Sequence, residues 1–171
     1  MESETDQVGG HRFILEKNVE INPDVLADIK AGLSQVWDSE IGREREFKIV
    51  INDYVHDKRT GEEIRGSLAA FHLTEKGEFE FGIQALRDDT VSGLSDADKA
   101  LVVAAHECAH AVQQEQGNPP PTSLENPNYH NDWHEKDAWF KAAKVLKQKY
   151  PQASGMLGNS NDNAVDLSKT G

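Results

Sequence analysis

One segment constrains the fold of this chain more than any other: a long apolar stretch that contains two histidines four residues apart. Residues 106–110 read His-Glu-Cys-Ala-His, and apolar side chains dominate 101–112 around them. Ser95 precedes the stretch as a candidate N-cap with Asp98 three residues on, and Gly117, followed by three prolines, ends it. These signals predict one continuous helix that carries polar side chains within an apolar segment.

The histidine spacing predicts a metal site. On a helix, residues four apart lie about 40° from each other, so His106 and His110 share one face. Two histidines and a glutamate are costly to bury without partners, and a metal ion is the most economical partner. We therefore expect both rings to bind Zn²⁺, with Glu107 placed to accept a proton from a water molecule that the zinc activates. The alternative is a pair of structural histidines.

Catalytic zinc usually has three protein ligands, so a third must come from elsewhere in the chain. Glu135 begins an apolar stripe that continues at 138, 139, 142 and 146, so it should face the core. Asp137 should face solvent, and His134 lies at the flank of the stripe. His130 precedes this helix and can be aimed either way. We favour Glu135 as the third ligand and keep His130 as the alternative.

Composition narrows the class of protein. The 171 residues fit one domain, and the formal net charge of −12 argues against binding nucleic acid or an anionic membrane. The one cysteine, Cys108, should point away from the metal and pack as a small apolar residue. We expect a cytoplasmic monomer without a signal peptide or membrane span. We also expect a disordered acidic N-terminus over 1–10, one domain over 11–152 and a flexible tail over 153–171.

Hydrophobic patterning predicts an α+β fold. Asn22 and Pro23 should begin an amphipathic helix that ends near Asp38, and Phe47–Ile51 alternates as a strand. Further elements are a loop over 56–63, a hairpin of Leu68–Thr74 with Phe79–Ile83, and a last helix over 132–150. In the hairpin's second strand, we expect one apolar face and one wet face that carries Glu78, Glu80 and Gln84. His11, His56 and His72 are expected to be surface or strand residues. The predicted fold is a small twisted antiparallel or mixed sheet packed on the His-Glu-x-x-His helix and a second ligand-bearing helix.

The residues over 105–113 and 135–139 resemble those of zincin-type metallopeptidases, and most closely those of the small gluzincins. In that pattern the residues that match His106, His110 and Glu135 bind zinc, and the one that matches Glu107 is the general base. The resemblance covers about a third of the chain. It implies a hydrolase with a minimal zincin fold that cleaves peptide bonds in a protein or peptide, with the substrate aligned on an edge strand. Either strand of the predicted hairpin is a candidate for that role.

Two departures from the gluzincin pattern keep alternatives open. Many gluzincins carry Asp or Asn four residues after the ligand glutamate, where this chain has Trp139, so a partner that orients the zinc-binding histidines must come from elsewhere. Residues 129–133 also resemble SprT-like metalloproteases, in which His130 would be the third ligand. A third possibility is a zinc-binding interaction module without catalysis, although structural zinc does not need the base Glu107. The candidates for stabilising the oxyanion are Tyr129, His130 and His134.

Overall fold

The computed structural model describes residues 2–72, 77–90, 93–119 and 133–151. Within those ranges the chain forms seven strands and four helices, which confirms the predicted α+β class. In chain order they are β1 (Glu2–Val8), β2 (His11–Lys17), α1 (Pro23–Glu40), β3 (Glu46–Asn52), β4 (Val55–His56), β5 (Glu63–Ile64), β6 (Ala69–His72), β7 (Glu78–Gly82), α2 (Ile83–Asp88), α3 (Asp96–Glu115) and α4 (Trp133–Lys149).

The main sheet is mixed and has five strands in the order β1-β2-β3-β7-β6. The outer pairs, β1 with β2 and β6 with β7, are antiparallel, whereas β3 is parallel to both of its neighbours. The predicted hairpin is therefore present as β6 and β7, with β6 at the edge of the sheet and β7 in its interior. Helix α1 connects the parallel strands β2 and β3, as parallel pairing requires a crossover. Strands β4 and β5 form a separate small sheet.

Helices α1 and α3 begin where their caps predict. The side chain of Asn22 accepts a hydrogen bond from the backbone N–H of Asp24 at 2.7 Å. Ser95 likewise accepts from the backbone N–H of Asp98 at 3.1 Å. The core lies between the sheet and these helices and includes the buried side chains of Phe13, Leu33, Trp37, Phe47, Ile49, Phe79, Phe81, Leu101 and Val112.

Helices α1 and α3 approach each other most closely at Gly32. A Cβ atom built there would lie 2.5 Å from the backbone oxygen of Leu101 and 2.8 Å from the Cβ of Ala104. Both distances are shorter than van der Waals contact, so a side chain at this position would push the two backbones apart. The absence of a side chain at Gly32 thus allows α3 to pack directly on α1, just before its two histidines.

The structure corrects several expectations. The N-terminal residues expected to be disordered form β1, which pairs along its whole length with β2. This strand is polar, but its backbone hydrogen bonds and two ion pairs, Lys17 with Glu4 and Lys30 with Asp6, hold it on the sheet. The expected wet face of the hairpin's second strand is also wrong: Glu78 and Glu80 are both buried. Gln84 belongs to α2, and both ends of the expected loop over 56–63 are strands.

Other expectations fall outside the described residues. These include the tail over 153–171, the loop that carries Tyr129 and His130, and the tip of the hairpin. Within the part of the chain that is described, no helix is long and apolar enough to cross a lipid bilayer.

Candidate metal centre

Helices α3 and α4 bring together three side chains that the sequence singled out. His106 and His110 project from α3, and Glu135 projects from the first turn of α4. All three are buried, with exposed fractions of 1 %, 3 % and 0 %. Their nitrogen and oxygen atoms form a compact group that can hold one metal ion, which is the arrangement predicted from the helix pattern.

The three candidate ligand side chains form a compact triangle in which one carboxylate oxygen of Glu135 faces each histidine ring. The two Nε2 atoms lie 3.2 Å apart, His110 Nε2 lies 3.1 Å from Glu135 Oε1, and His106 Nε2 lies 3.2 Å from Glu135 Oε2. Zinc bonds of 2.0–2.1 Å in a tetrahedral site place neighbouring donors about 3.3 Å apart. Each of the three measured distances is close to this donor spacing, so the two Nε2 atoms and the Glu135 carboxylate fit a zinc ion.

The electrostatics of the triangle favour a charged carboxylate. Burial alone would raise the pKa of Glu135, but the two imidazoles beside it outweigh that effect and hold the pKa well below its usual range. The two histidine rings meet edge to face, with centroids 4.8 Å apart. Trp139 lies against the other side of His106, with ring centroids 3.9 Å apart. An anionic carboxylate beside two buried rings is a suitable environment for a cation.

Glu107 lies beside the triangle rather than within it. Its side chain is 2 % exposed, and its Oε2 atom lies 3.9 Å from His106 Nε2. The carboxylate accepts a hydrogen bond from the backbone N–H of Phe71 in β6, whereas its Oε2 atom has no hydrogen-bond partner among the described residues. Burial and the nearby charge of Glu135 raise the pKa of Glu107, and the Phe71 hydrogen bond opposes that rise. Glu107 can therefore hold a proton next to the candidate metal.

Gln113 is a polar neighbour of the triangle to which the sequence analysis assigned no role. Gln113 Oε1 lies 2.9 Å from His110 Nδ1, and Gln113 Nε2 donates to the backbone oxygen of His134 and to Asp137 Oδ2. The expectation that Asp137 faces solvent is wrong, because this contact and an ion pair with Lys141 keep it partly buried. The available signal was spacing: Gln113 follows His110 by three residues and so lies on the same helix face.

The remaining candidates contribute less. His134 is partly buried, and its ring stacks on that of Trp133 rather than joining the triangle. Tyr129 and His130 lie outside the described residues, so His130 as a third ligand stays a prediction. Cys108 is fully buried and donates to the backbone oxygen of Leu33, and burial raises the pKa of its thiol to about 12. This confirms Cys108 as a packing residue.

Comparison with known proteins does not place the chain in a family. A scan against protein-family models found no match, and a search of curated protein sequences found none either. The three-ligand geometry and the adjacent carboxylate are accordingly the observations from which a function can be argued. Together they describe a buried His-His-Glu cluster that can hold a metal ion, next to a carboxylate that can hold a proton.

Proposed function

We propose that this protein is a zinc-dependent metallopeptidase. The observation that carries the proposal is the triangle of His106, His110 and Glu135 with Glu107 directly beside it. Two imidazoles and one carboxylate are a donor set used by catalytic zinc, and three protein ligands leave a fourth position open. The resemblance of residues 105–113 and 135–139 to the gluzincin pattern supports the same assignment.

Zinc held by His106, His110 and Glu135 would supply Lewis-acid chemistry for a substrate carbonyl and a water molecule. Within the chain, Glu107 would accept a proton from that water and pass it to the leaving amine. The hydrogen bond from Phe71 fixes one side of the Glu107 carboxylate and leaves Oε2 available for the water.

Strand β6 is the element best placed to align a peptide. The backbone N–H of Gly82 donates to the oxygen of Leu68 at 2.9 Å, so alternation directs the backbone groups of Ala70 and His72 toward β7 as well. The backbone groups of Ala69 and Phe71 then face the open edge, where Phe71 reaches Glu107. A peptide that adds to this edge as an extra strand would lie beside the base. The alternative strand, β7, has neighbours on both sides and cannot accept a peptide.

The test is peptide cleavage by zinc-loaded protein and by its Glu107→Gln variant. Loss of the base should lower kcat/KM by about 10²–10⁴-fold while the zinc content stays the same. Glu62→Gln is the matched control. Glu62 is exposed in the segment between β4 and β5, so this variant should keep full activity. Equal activity of the Glu107→Gln variant and the wild type would remove the base from the mechanism and contradict the proposal.

A closed zinc-binding module without catalysis is the second candidate. It is favoured by the burial of all four side chains, each at most 3 % exposed, and by the packing of Trp139 on His106. Structural zinc sites are closed in this way and contribute directly to folding. If zinc-loaded wild type cleaves no substrate in a broad peptide library and unfolds when zinc is chelated, the structural role replaces the peptidase.

A further inference from the structure

Gln113 links the two helices that carry the candidate metal ligands, and it does so through its side-chain amide. It is 1 % exposed and lies between His110, on its own helix, and the first turn of α4. Its amide makes three contacts, at 2.9 Å to His110 Nδ1, 3.0 Å to the backbone oxygen of His134 and 2.9 Å to Asp137 Oδ2. A buried amide with three contacts of this length is rigidly held.

These contacts determine which way the amide faces. The backbone oxygen of His134 and the carboxylate oxygen of Asp137 can only accept hydrogen bonds, so the amide NH₂ must face them. The amide oxygen must then face His110 Nδ1, and an oxygen can only accept. Nδ1 of His110 must therefore carry a proton, because otherwise two lone pairs would meet at 2.9 Å.

The tautomer of His110 follows from this orientation. With the proton held on Nδ1, Nε2 is the nitrogen that can give up its proton and bind the metal, and it is the atom that belongs to the metal triangle. The same amide holds the backbone on the N-terminal side of Glu135 and the side chain of Asp137 just beyond it. One residue thus sets the ligand form of His110 and the position of the turn that carries Glu135.

We propose that Gln113 is the positioning residue of this centre, which fixes the Nδ1–H tautomer of His110 and joins the two ligand helices before the metal binds. Many gluzincins carry Asp or Asn at the position of Trp139 to orient a zinc-binding histidine, and in this chain Gln113 provides such a partner for His110. The link extends further, because Asp137 also pairs with Lys141 at 3.1 Å and Lys141 lies 3.8 Å from Glu40 at the end of α1. The inference rests on the zinc site of the proposed function but not on peptidase activity.

The first test is the position of the proton on His110 in metal-free wild-type protein, measured by ¹⁵N–¹H correlation NMR of the imidazole. We expect a proton on Nδ1 in the metal-free protein, and we expect that proton to persist when zinc displaces the proton from Nε2. A neutral ring with its proton on Nε2 would overturn the proposal. This measurement needs no variant and no catalysis, so it decides the matter even if the variants below do not fold or if the wild type cleaves no peptide.

The second test is zinc affinity, measured by competition with a chelator. Gln113→Met keeps the length of the side chain but removes all three contacts, and we expect zinc affinity to fall by about 10–100-fold. Gln114→Met is the matched control, because the neighbouring Gln114 is exposed and its change should leave affinity unaltered. Wild-type affinity in a folded Gln113→Met variant would overturn the positioning role.

A pair of substitutions at positions 113 and 137 distinguishes a hydrogen-bonded positioning role of Gln113 from a packing role. In Gln113→Glu the new carboxylate still accepts from His110 Nδ1 but faces the carboxylate of Asp137, so zinc affinity should fall. Adding Asp137→Asn restores one donor opposite the new acceptor, while the backbone oxygen of His134 stays opposed to it, so we expect the double variant to recover part of the lost affinity. A double variant that binds zinc no better than Gln113→Glu alone would contradict the hydrogen-bonded link. A change in cleavage with unchanged zinc affinity would count against this inference and leave the proposed function intact.

Discussion

Two clusters in this protein have the same residue types, a buried glutamate with two histidines, but arrange them differently. In the cluster around Glu80, each carboxylate oxygen accepts two hydrogen bonds: Oε1 from His72 Nε2 and the His56 backbone, and Oε2 from His56 Nδ1 and Asn52. In the metal centre, His106, His110 and Glu135 instead direct their donor atoms at one another across a shared space. The carboxylate of the first cluster has four hydrogen-bond donors of its own, whereas the second cluster can hold a metal ion.

The comparison shows that residue composition does not distinguish a metal site from a structural network. Burial alone would raise the pKa of Glu80, but the hydrogen bonds of His72 and His56 outweigh it and lower the pKa to about 2. In this cluster the ring N–H groups of His56 and His72 are used as hydrogen-bond donors to the Glu80 carboxylate. Among the described residues, the cluster of His106, His110 and Glu135 is accordingly the one whose atoms can share an ion.

The largest expected difference between the clusters is in zinc content. Glu135→Ala removes one of three donors, so the zinc bound after metal-replete purification should fall from about one ion per chain to background. Glu80→Ala should leave the zinc content unchanged. His130→Ala, measured alongside, tests the alternative third ligand. Zinc loss in the His130 variant but not in the Glu135 variant would show that His130 is the third ligand and contradict the assignment of Glu135.

A smaller effect is expected from neutralising Glu80. Glu80→Gln replaces an acceptor by an NH₂ group that faces donors, so the free energy of unfolding should fall by about 2 kcal/mol. For a chain of this length that corresponds to a decrease in Tm of roughly 4–8 °C. Thermal unfolding of Glu80→Gln measures this decrease in Tm. Glu62→Gln, which makes the same change at an exposed site, is the control. Equal Tm values would mean that the Glu80 network contributes no stability.

Acid should weaken the same network in a predictable pH range. The pKa of Glu80 is about 2 in the folded protein, below its usual value of 4.5, so the charged form contributes stability at neutral pH. That contribution is present above about pH 4.5 and is lost as the pH falls toward 2. Urea unfolding between pH 5 and 2.5 should show wild type losing more stability than Glu80→Gln. Parallel pH profiles for the two proteins would refute this assignment of the pKa shift.

The smallest effect is an increase in stability from removing the base. Glu107 is buried near Glu135, and its Oε2 atom has no hydrogen-bond partner among the described residues. Because the pKa of Glu107 is raised on folding, its burial lowers stability at pH 7; Glu107→Gln removes that cost and keeps an oxygen for Phe71, so metal-free protein should become more stable by about 1 kcal/mol. Chemical denaturation after exhaustive chelation measures the change. A less stable variant would show that Glu107 supports the fold rather than a reaction.

Much of the metal centre could be predicted from the sequence because its determinants are local. The spacing of His106 and His110 depends only on helix geometry, and the position of Glu135 follows from the apolar stripe that it begins. The caps Asn22 and Ser95 likewise act within three residues of themselves. Each of these features follows from short-range rules, and the structure agrees with them.

The features that were missed depend on distant parts of the chain. Glu80 is buried by donors from Asn52 and His56, 28 and 24 residues away, so its alternating position in a strand wrongly suggested a wet face. Strand β1 has no apolar alternation and is held by pairing with β2. The contacts of Gln113 with α4 depend on how two helices pack. Long-range packing of this kind leaves no periodic signal in a single sequence.

The contact at Gly32 has a consequence for reading variants of this protein. The glycine lies on α1, outside the metal centre, yet the backbone that it touches belongs to α3 at Leu101 and Ala104, immediately before His106. One added methyl group there would shift the histidines away from Glu135 while leaving every ligand in the sequence. A natural variant that keeps His106, His110 and Glu135 can therefore still have lost the geometry that lets them hold a metal ion, and position 32 should be inspected first.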